Sequence, residues 1–212
     1  MDPDTALASR LAKDLEAAFP GLVEAHQDRL YTIALRLLGE RRDAEEVAQD
    51  ALVRAFRAMQ GYQRDRIVAL RLRPWLASIT VNLARNRRRR MDDRRPPAQL
   101  EPMLDAGFDV AVDGRSGPEQ QASRREAQRE LAGALLELKP AIRAAVVLRH
   151  VDGLTVAETA EALGRPEGTI KAQVHRGLAE LRTLLATAPS SPATKPSGAR
   201  PARLMPAMEA LR

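Results

Sequence analysis

Among its 212 residues the chain has no cysteine. That excludes disulfides, thiol nucleophiles and thiolate metal sites, and it fits a reducing compartment such as the cytoplasm. No run of about 18 apolar residues occurs, so no membrane-spanning helix and no membrane insertion are predicted. The N-terminus carries Asp2 and Asp4 and lacks the basic-then-apolar pattern of a secretory signal. His26, His150 and His175 lie far apart and show no metal-ligand spacing. There is no Gly-rich phosphate loop and no nucleophile elbow. No cofactor or metal is expected. Catalytic groups can be dispersed along a chain, so this weighs against an enzyme without excluding one. Strand signals are also nearly absent. Ala, Leu, Arg and Glu recur with helical period, and the predicted fold class is all-α.

Positive charge is present, and it is unevenly placed. Lys plus Arg number 34 against 28 for Asp plus Glu, a net charge of +6. Residues 85 to 95 hold seven of the arginines (Arg85, Arg87, Arg88, Arg89, Arg90, Arg94 and Arg95) against Asp92 and Asp93. Such a cluster favours a polyanion, most often nucleic acid. An ordinary solvated run at a domain edge would have the same composition.

Residues 155 to 182 are the most informative stretch. Thr155 and Glu158 fit a capping box. Val156, Ala160 and Leu163 follow at helical spacing, and Gly164 suits a left-handed helix end. Pro166 cannot continue that helix but suits the start of another. In the second helix Ile170, Val174, Leu178 and Leu181 form an apolar stripe, with Lys171, Ala172, His175 and Arg176 opposite. This is the helix-turn-helix plan, whose second helix enters the DNA major groove. Short amphipathic helices joined by Gly-Pro turns also occur in ordinary bundles.

Upstream, the periodicity predicts helices over residues 7 to 19 and 22 to 38, the second ending at Gly39, with His26 packed on its stripe. Asp43 is the expected N-cap of a third helix, whose apolar face includes Val47, Ala51, Ala55 and Met59 and which ends at Gly61. Residues 62 to 71 read as a loop. A fourth helix starts near Pro74 and runs into the arginine cluster. Breakers crowd residues 92 to 120, so the expected division is an N-terminal domain over 1–95, a linker over 96–120 and a C-terminal domain over 121–187. Helices are expected at 121 to 138 and 141 to 151. The Pro-, Ser- and Ala-rich tail, 188–212, is expected to be disordered, with Leu204 to Leu211 as an alternative brief helix.

Four blocks carry a resemblance. They are DAEEVAQDALVRAF from Asp43 to Phe56, RPWLASITVNLARN from Arg73 to Asn86, LKPAIRAAVVLRHVDGLTVAETA from Leu138 to Ala160, and GRPEGTIKAQVHRG from Gly164 to Gly177. In this order, around a linker, they resemble a bacterial RNA polymerase sigma factor of the compact extracytoplasmic-function (ECF) group.

The resemblance implies a non-enzymatic initiation subunit that binds core RNA polymerase (its β and β′ subunits) and promoter DNA. It implies that Asp43, Glu45, Glu46, Gln49 and Asp50 meet the clamp helices of β′. An acidic face would suit a basic helical partner. Asn82 and Asn86 match positions at the end of the helix that reads the −10 element. There, nearby residues and the loop after the helix capture a flipped base, and an asparagine amide can donate and accept at a base edge. Arg87, Arg88, Arg89 and Arg90 would hold phosphates, which position but do not specify. Trp75 matches a core aromatic. Lys171, Ala172, His175 and Arg176 match groove-facing positions for the −35 element, with Arg165 and Thr169 near backbone phosphate. An anti-sigma factor is an expected partner.

Some positions depart from the pattern. Ala172 and Gln173 stand where many members carry a hydroxyl and an arginine, Glu167 would repel phosphate, and residues 62 to 73 lack an extra aromatic. These leave the promoter sequence open. Two rival readings are a free-standing helix-turn-helix regulator and a nucleic-acid-processing enzyme. The first gives no role to residues 43 to 56 or 82 to 95. The second would need clustered carboxylates for metal ions.

Overall fold

A computed structural model describes residues 3–94 and 118–187. Among the described residues every regular element is helical, as the sequence predicts. The N-terminal group comprises α1 (Pro3–Lys13), α2 (Leu15–Leu38), α3 (Arg41–Gln60), the one-turn α4 (Arg64–Val68) and α5 (Leu72–Arg94). The C-terminal group comprises α6 (Pro118–Glu137), α7 (Pro140–Val146), α8 (Val156–Leu163) and α9 (Glu167–Thr187).

The first break in the chain is earlier than the sequence predicts. Residues 7 to 19 are not one helix. Asp14 ends α1 and caps α2, accepting from Ala17 N–H at 3.0 Å. Pro20 and Gly21 then lie inside α2. A carboxylate that satisfies a free N–H fixes a helix start more firmly than a proline one turn later prevents continuation. Gly39 ends α2 as predicted, with φ +81° and its N–H on the Leu35 carbonyl at 2.8 Å. The cap of α3 is Glu40 and not Asp43. Both Glu40 carboxylate oxygens accept backbone N–H groups, from Arg42 at 2.9 Å and Asp43 at 2.6 Å. The glycine turn delivers the chain to Glu40 already extended, so the first available acceptor takes the cap. Part of the expected 62–71 loop is α4, and α6 starts at Pro118, inside the expected linker. Residues 95–117, with most of that linker, and the 188–212 tail, including the residues of the alternative brief helix, lie outside the described residues.

Helix α2 is the spine of the N-terminal group. It packs along α3, α5 and α1, burying Leu22, Leu30, Ile33 and Ala34. In the C-terminal group α9 packs on α6, α7 and α8. Gly177 permits the α7–α9 approach, since a Cβ there would lie 2.5 Å from Val146 Cγ2 and 2.7 Å from Ile142 Cγ2. After α7 the backbone widens to an i→i+5 turn over Val147–Val151, with Asp152 N–H on the Val147 carbonyl at 2.9 Å. Such turns re-aim side chains, and here the turn delivers Asp152 to the N-terminal group.

His26 is packed, as expected, 3% exposed and 3.5 Å from Asp4. Burial lowers its pKa, reinforced by Arg29 and Arg73 and opposed by Asp4 and Asp152. A histidine with a depressed folded pKa is neutral in the fold while the unfolded chain takes up its proton first. Its stability contribution is therefore full above the unfolded value of about 6.5 and is lost as pH falls through and below it. Thermal melts between pH 7.5 and 5 should show a decrease in midpoint that His26→Gln diminishes. An equal decrease in both would remove His26 as the cause.

Candidate nucleic-acid interface and partner surfaces

The helix-turn-helix forms as its sequence dictates. Thr155 Oγ1 accepts from Glu158 N–H at 3.2 Å, and Glu158 Oε2 accepts from Thr155 N–H at 2.8 Å, completing the capping box. Burial works against ionisation of Glu158. The Thr155 N–H and hydroxyl, with nearby Arg71, outweigh it and hold the carboxyl below its ordinary range. Gly164 takes φ +61° and turns the chain into α9. On α9, Ile170 and Leu181 are buried, while Val174 and Leu178 are half-buried. Lys171, Ala172, His175 and Arg176 are all exposed on the other side, Thr169 is exposed and Arg165 is half-buried. A basic face with a packed back is what groove insertion needs. Glu167, exposed in the first turn, is the one acidic group there.

The second basic surface lies along α5. Asn82, Arg85, Asn86, Arg89 and Arg90 are exposed, and Arg88 is half-buried. Helical spacing places Arg71, Trp75, Ser78, Asn82, Arg85 and Arg89 on one stripe. Trp75 packs against the core beside Tyr62, ring centroids 6.2 Å apart, in line with the core role expected of it. Arg87 stands apart from the other arginines. Its Nε donates to Asp43 Oδ1 at 2.7 Å and its Nη2 lies 2.8 Å from Glu46 Oε2. The Asp43 hydrogen bond is the main reason its pKa is raised further. Arg87 therefore ties α5 to α3 in the free chain and is not available to phosphate.

The acidic face of α3 is correspondingly smaller than its sequence suggests. Glu45, Gln49 and Asp50 are exposed. The Glu46 side chain is 43% exposed and shared between Arg42 and Arg87. Asp43 is 7% exposed and turned to Arg87. It sits inside the fold and cannot face a partner.

Sequence reasoning missed a set of contacts between the two groups of helices. Arg29 grips the buried Asp152 carboxylate, Nη2 to Oδ2 at 2.5 Å, and also donates to the Arg73 carbonyl at 3.2 Å. Burial raises the Asp152 pKa even against the opposing pull of Arg29. Arg73 Nη2 donates to the Asp152 carbonyl at 2.7 Å. Arg71 spans two carboxylates of α8, with Nη2 to Glu158 at 2.8 Å and Nη1 to Glu161 at 2.9 Å. Further along α5, Arg85, Arg88 and Arg89 line a groove of about 240 Å³ against Pro140 and Ala144 of α7. These partners are far apart in sequence, 123 residues for Arg29 and Asp152, and no local pattern marks them.

Sigma-70 region 2 matches residues 22–94, and Sigma-70, region 4 matches residues 128–181. The chain is 36% identical over 174 residues to the ECF RNA polymerase sigma factor SigE of Mycolicibacterium smegmatis, covering 81% of this chain and 64% of that one. It is 34% identical over 164 residues to the RNA polymerase sigma-E factor of Streptomyces avermitilis, covering 77% and 83%. Among solved structures, CnrH in complex with the cytosolic domain of CnrY superposes with a TM-score of 0.62 at 25% identity, over 87% of this chain and 98% of that one. For the fold alone, RpoE of Bartonella quintana with the anti-sigma factor NepR gives 0.56 at 22%, over 80% and 98%. Two all-helical groups, the second a helix-turn-helix, with basic surfaces on α5 and α9, define a protein of the sigma-70 class. The chain belongs to the ECF group of RNA polymerase sigma factors, the subunits that direct promoter-specific transcription initiation.

Proposed function

We propose that the chain binds core RNA polymerase through the exposed part of α3, namely Glu45, Glu46, Gln49 and Asp50, and reads the two promoter elements with separate groups of helices. In this reading residues 1–95 hold the core-binding and −10 functions, 96–120 link, and 121–187 read the −35 element. Asn82 and Asn86 read the −10 strand, with Arg88, Arg89 and Arg90 on its phosphates. Lys171, Ala172, His175 and Arg176 enter the −35 groove, with Arg165 and Thr169 on its backbone. The carrying observation is that both sets are solvent-facing on well-packed helices, Asn82 and Asn86 on α5 and Lys171, Ala172, His175 and Arg176 on α9. RNA synthesis itself belongs to the polymerase, and the chain acts as a non-enzymatic subunit without a cofactor. Opening proceeds by capture, in which a held flipped base offsets an unstacking cost of a few kcal/mol.

The setting is the cytoplasm, where polymerase works. Among the described residues no helix is long and apolar enough to cross a membrane. An anti-sigma factor is the expected regulator, since RpoE of Bartonella quintana was solved bound to one.

The test divides the labour. With core polymerase present, Asn82→Ala should relax preference at one position of a randomised −10 library. Lys171→Ala and Arg176→Ala should relax preference only in a −35 library, each base-edge contact being worth about 1–3 kcal/mol of discrimination. If both libraries return wild-type preferences for all three variants, the assignment of the two surfaces is wrong.

A further inference from the structure

Several arginines of the chain are held by its own acceptors. Arg29, Arg71 and Arg87 meet carboxylates, and Arg143 donates to backbone carbonyls on both sides of the seam between the two groups. Arg85, Arg88 and Arg89 of α5 are different. Among the described residues none of these three side chains has an ion pair or a hydrogen bond. They stand at i, i+3 and i+4, neighbours on the helix surface, where like charges repel. All three line one groove of about 240 Å³ between α5 and α7, and no carboxylate lines it with them. The floor of the groove is apolar. Leu37 of α2, Val81 and Ala84 of α5, and Pro140 and Ala144 of α7 form it, and all but Pro140 are buried. Arg143, 2% exposed, lies against the same groove and adds positive potential.

We propose that this groove binds a nucleoside diphosphate, with its phosphates on Arg85, Arg88 and Arg89 and its base and sugar on the apolar floor. Guanidinium forks match phosphate oxygens bidentately. A base has an apolar face that packs on such a floor and stacks on guanidinium planes. The volume equals that of about eight waters at ~30 Å³ each, which suits a nucleoside and excludes a larger body. Other anions fit less well. A bare phosphodiester chain would use the arginines and leave the floor uncovered. A fatty acid would cover the floor and bring a single charge to three cations. No floor side chain carries a polar group that could read a base edge, so the site selects the class and not one base.

A nucleotide held there acts on the chain by mass action. The floor takes residues from both groups of helices, so the bound molecule stabilises the fold as a whole, by an amount that grows with its concentration. Charge pairs at the rim make binding fall with added salt, whereas contact of the ring with the floor is insensitive to it. Arg88 and Arg89 also serve phosphate in the promoter reading given above. Arg85 has no part in that reading, and the nucleotide site stands without it.

ADP is the probe, titrated into the full chain and followed by methyl resonances. Those of Val81, Ala84 and Ala144 should shift and saturate together, while those of Ala8 on α1 and Ala172 on α9 stay in place. The melting midpoint should rise with ADP. Arg85 is exposed, so without ADP the midpoint of Arg85→Ala should match wild type. That variant should bind ADP about tenfold more weakly or worse, and Arg85→Lys should recover only part of the loss. Arg182→Ala, which removes an exposed arginine of α9, should change the affinity by less than about twofold. Pyrophosphate, which has no ring to lay on the floor, should bind about tenfold more weakly than ADP. Absence of saturable shifts at Val81, Ala84 and Ala144 would overturn the site. Equal losses in Arg85→Ala and Arg182→Ala would reduce it to general attraction for polyanions. Pyrophosphate binding as tightly as ADP would overturn the nucleoside part of the assignment.

Discussion

Arg143→Ala should lower the unfolding free energy by about 3–5 kcal/mol, the cost of a few buried carbonyls left without donors, and the midpoint by roughly 10 °C or more. Arg143 is 2% exposed. Its guanidinium donates to four backbone carbonyls, from Nε to Leu135 at 2.7 Å, from Nη1 to Leu37 at 2.8 Å, and from Nη2 to Leu138 at 2.9 Å and to Leu136. Leu135 and Leu136 lie in the last turn of α6, Leu138 follows it directly, and Leu37 lies in the last turn of α2. The cation thus sits against the negative ends of two helices, where carbonyls lack helical partners. Alanine removes every donor and leaves those carbonyls dry, each costing about 1–3 kcal/mol when unsatisfied. Arg143→Lys should recover only part of the loss, since a point ammonium has three donors and no planar fork. Urea unfolding followed by circular dichroism measures both variants. A loss under about 1 kcal/mol for alanine would mean that the carbonyls find other donors and that Arg143 is dispensable to the fold.

Glu45→Lys with Asp50→Lys should weaken binding to core polymerase about 100-fold while leaving the far-ultraviolet spectrum and the unfolding midpoint unchanged. Both side chains are exposed on α3. Reversing them places two cations against a basic partner, and about 2.7 kcal/mol lost across both sites corresponds to that factor. The effect should fall mainly on the association rate and shrink with added salt. Glu46 is the poorer choice for this test. Its carboxylate also holds Arg87, so a lysine there would repel Arg87 and disturb the α3–α5 packing. Titration of labelled chain into core polymerase gives the affinity, and an unchanged value would move the polymerase contact off this face.

What could be read in advance follows the range of the interaction. The Thr155–Glu158 box, the Gly39 and Gly164 helix ends and the exposed quartet on α9 depend on neighbours three or four residues away. Sequence spacing exposes them. The cap of α3 fell one turn from its expected place because Asp43 and Glu40 are both carboxylates near a helix start, and only the path of the preceding turn decides between them. Pro20 and Gly21 look like a break but lie inside α2, since Asp14 supplies an earlier start. The family resemblance points Asp43 to polymerase and Arg87 to DNA, and the fold pairs them across 44 residues. The seam residues Arg29, Arg71, Arg73, Arg143, Asp152 and Glu161 carry no local signal. In sequence each is one more charge on a helical chain.

The central claim is that this chain confers promoter-specific initiation on core polymerase. It is tested most directly by adding purified chain to core polymerase on fragmented genomic DNA of the source bacterium and mapping the 5′ ends of the transcripts. The account predicts discrete start sites that share two short upstream motifs at fixed spacing, absent with core alone and lost with Glu45→Lys/Asp50→Lys. Start sites identical with and without the chain would contradict it, as would sequence-specific binding of the chain to duplex DNA with no change in transcription.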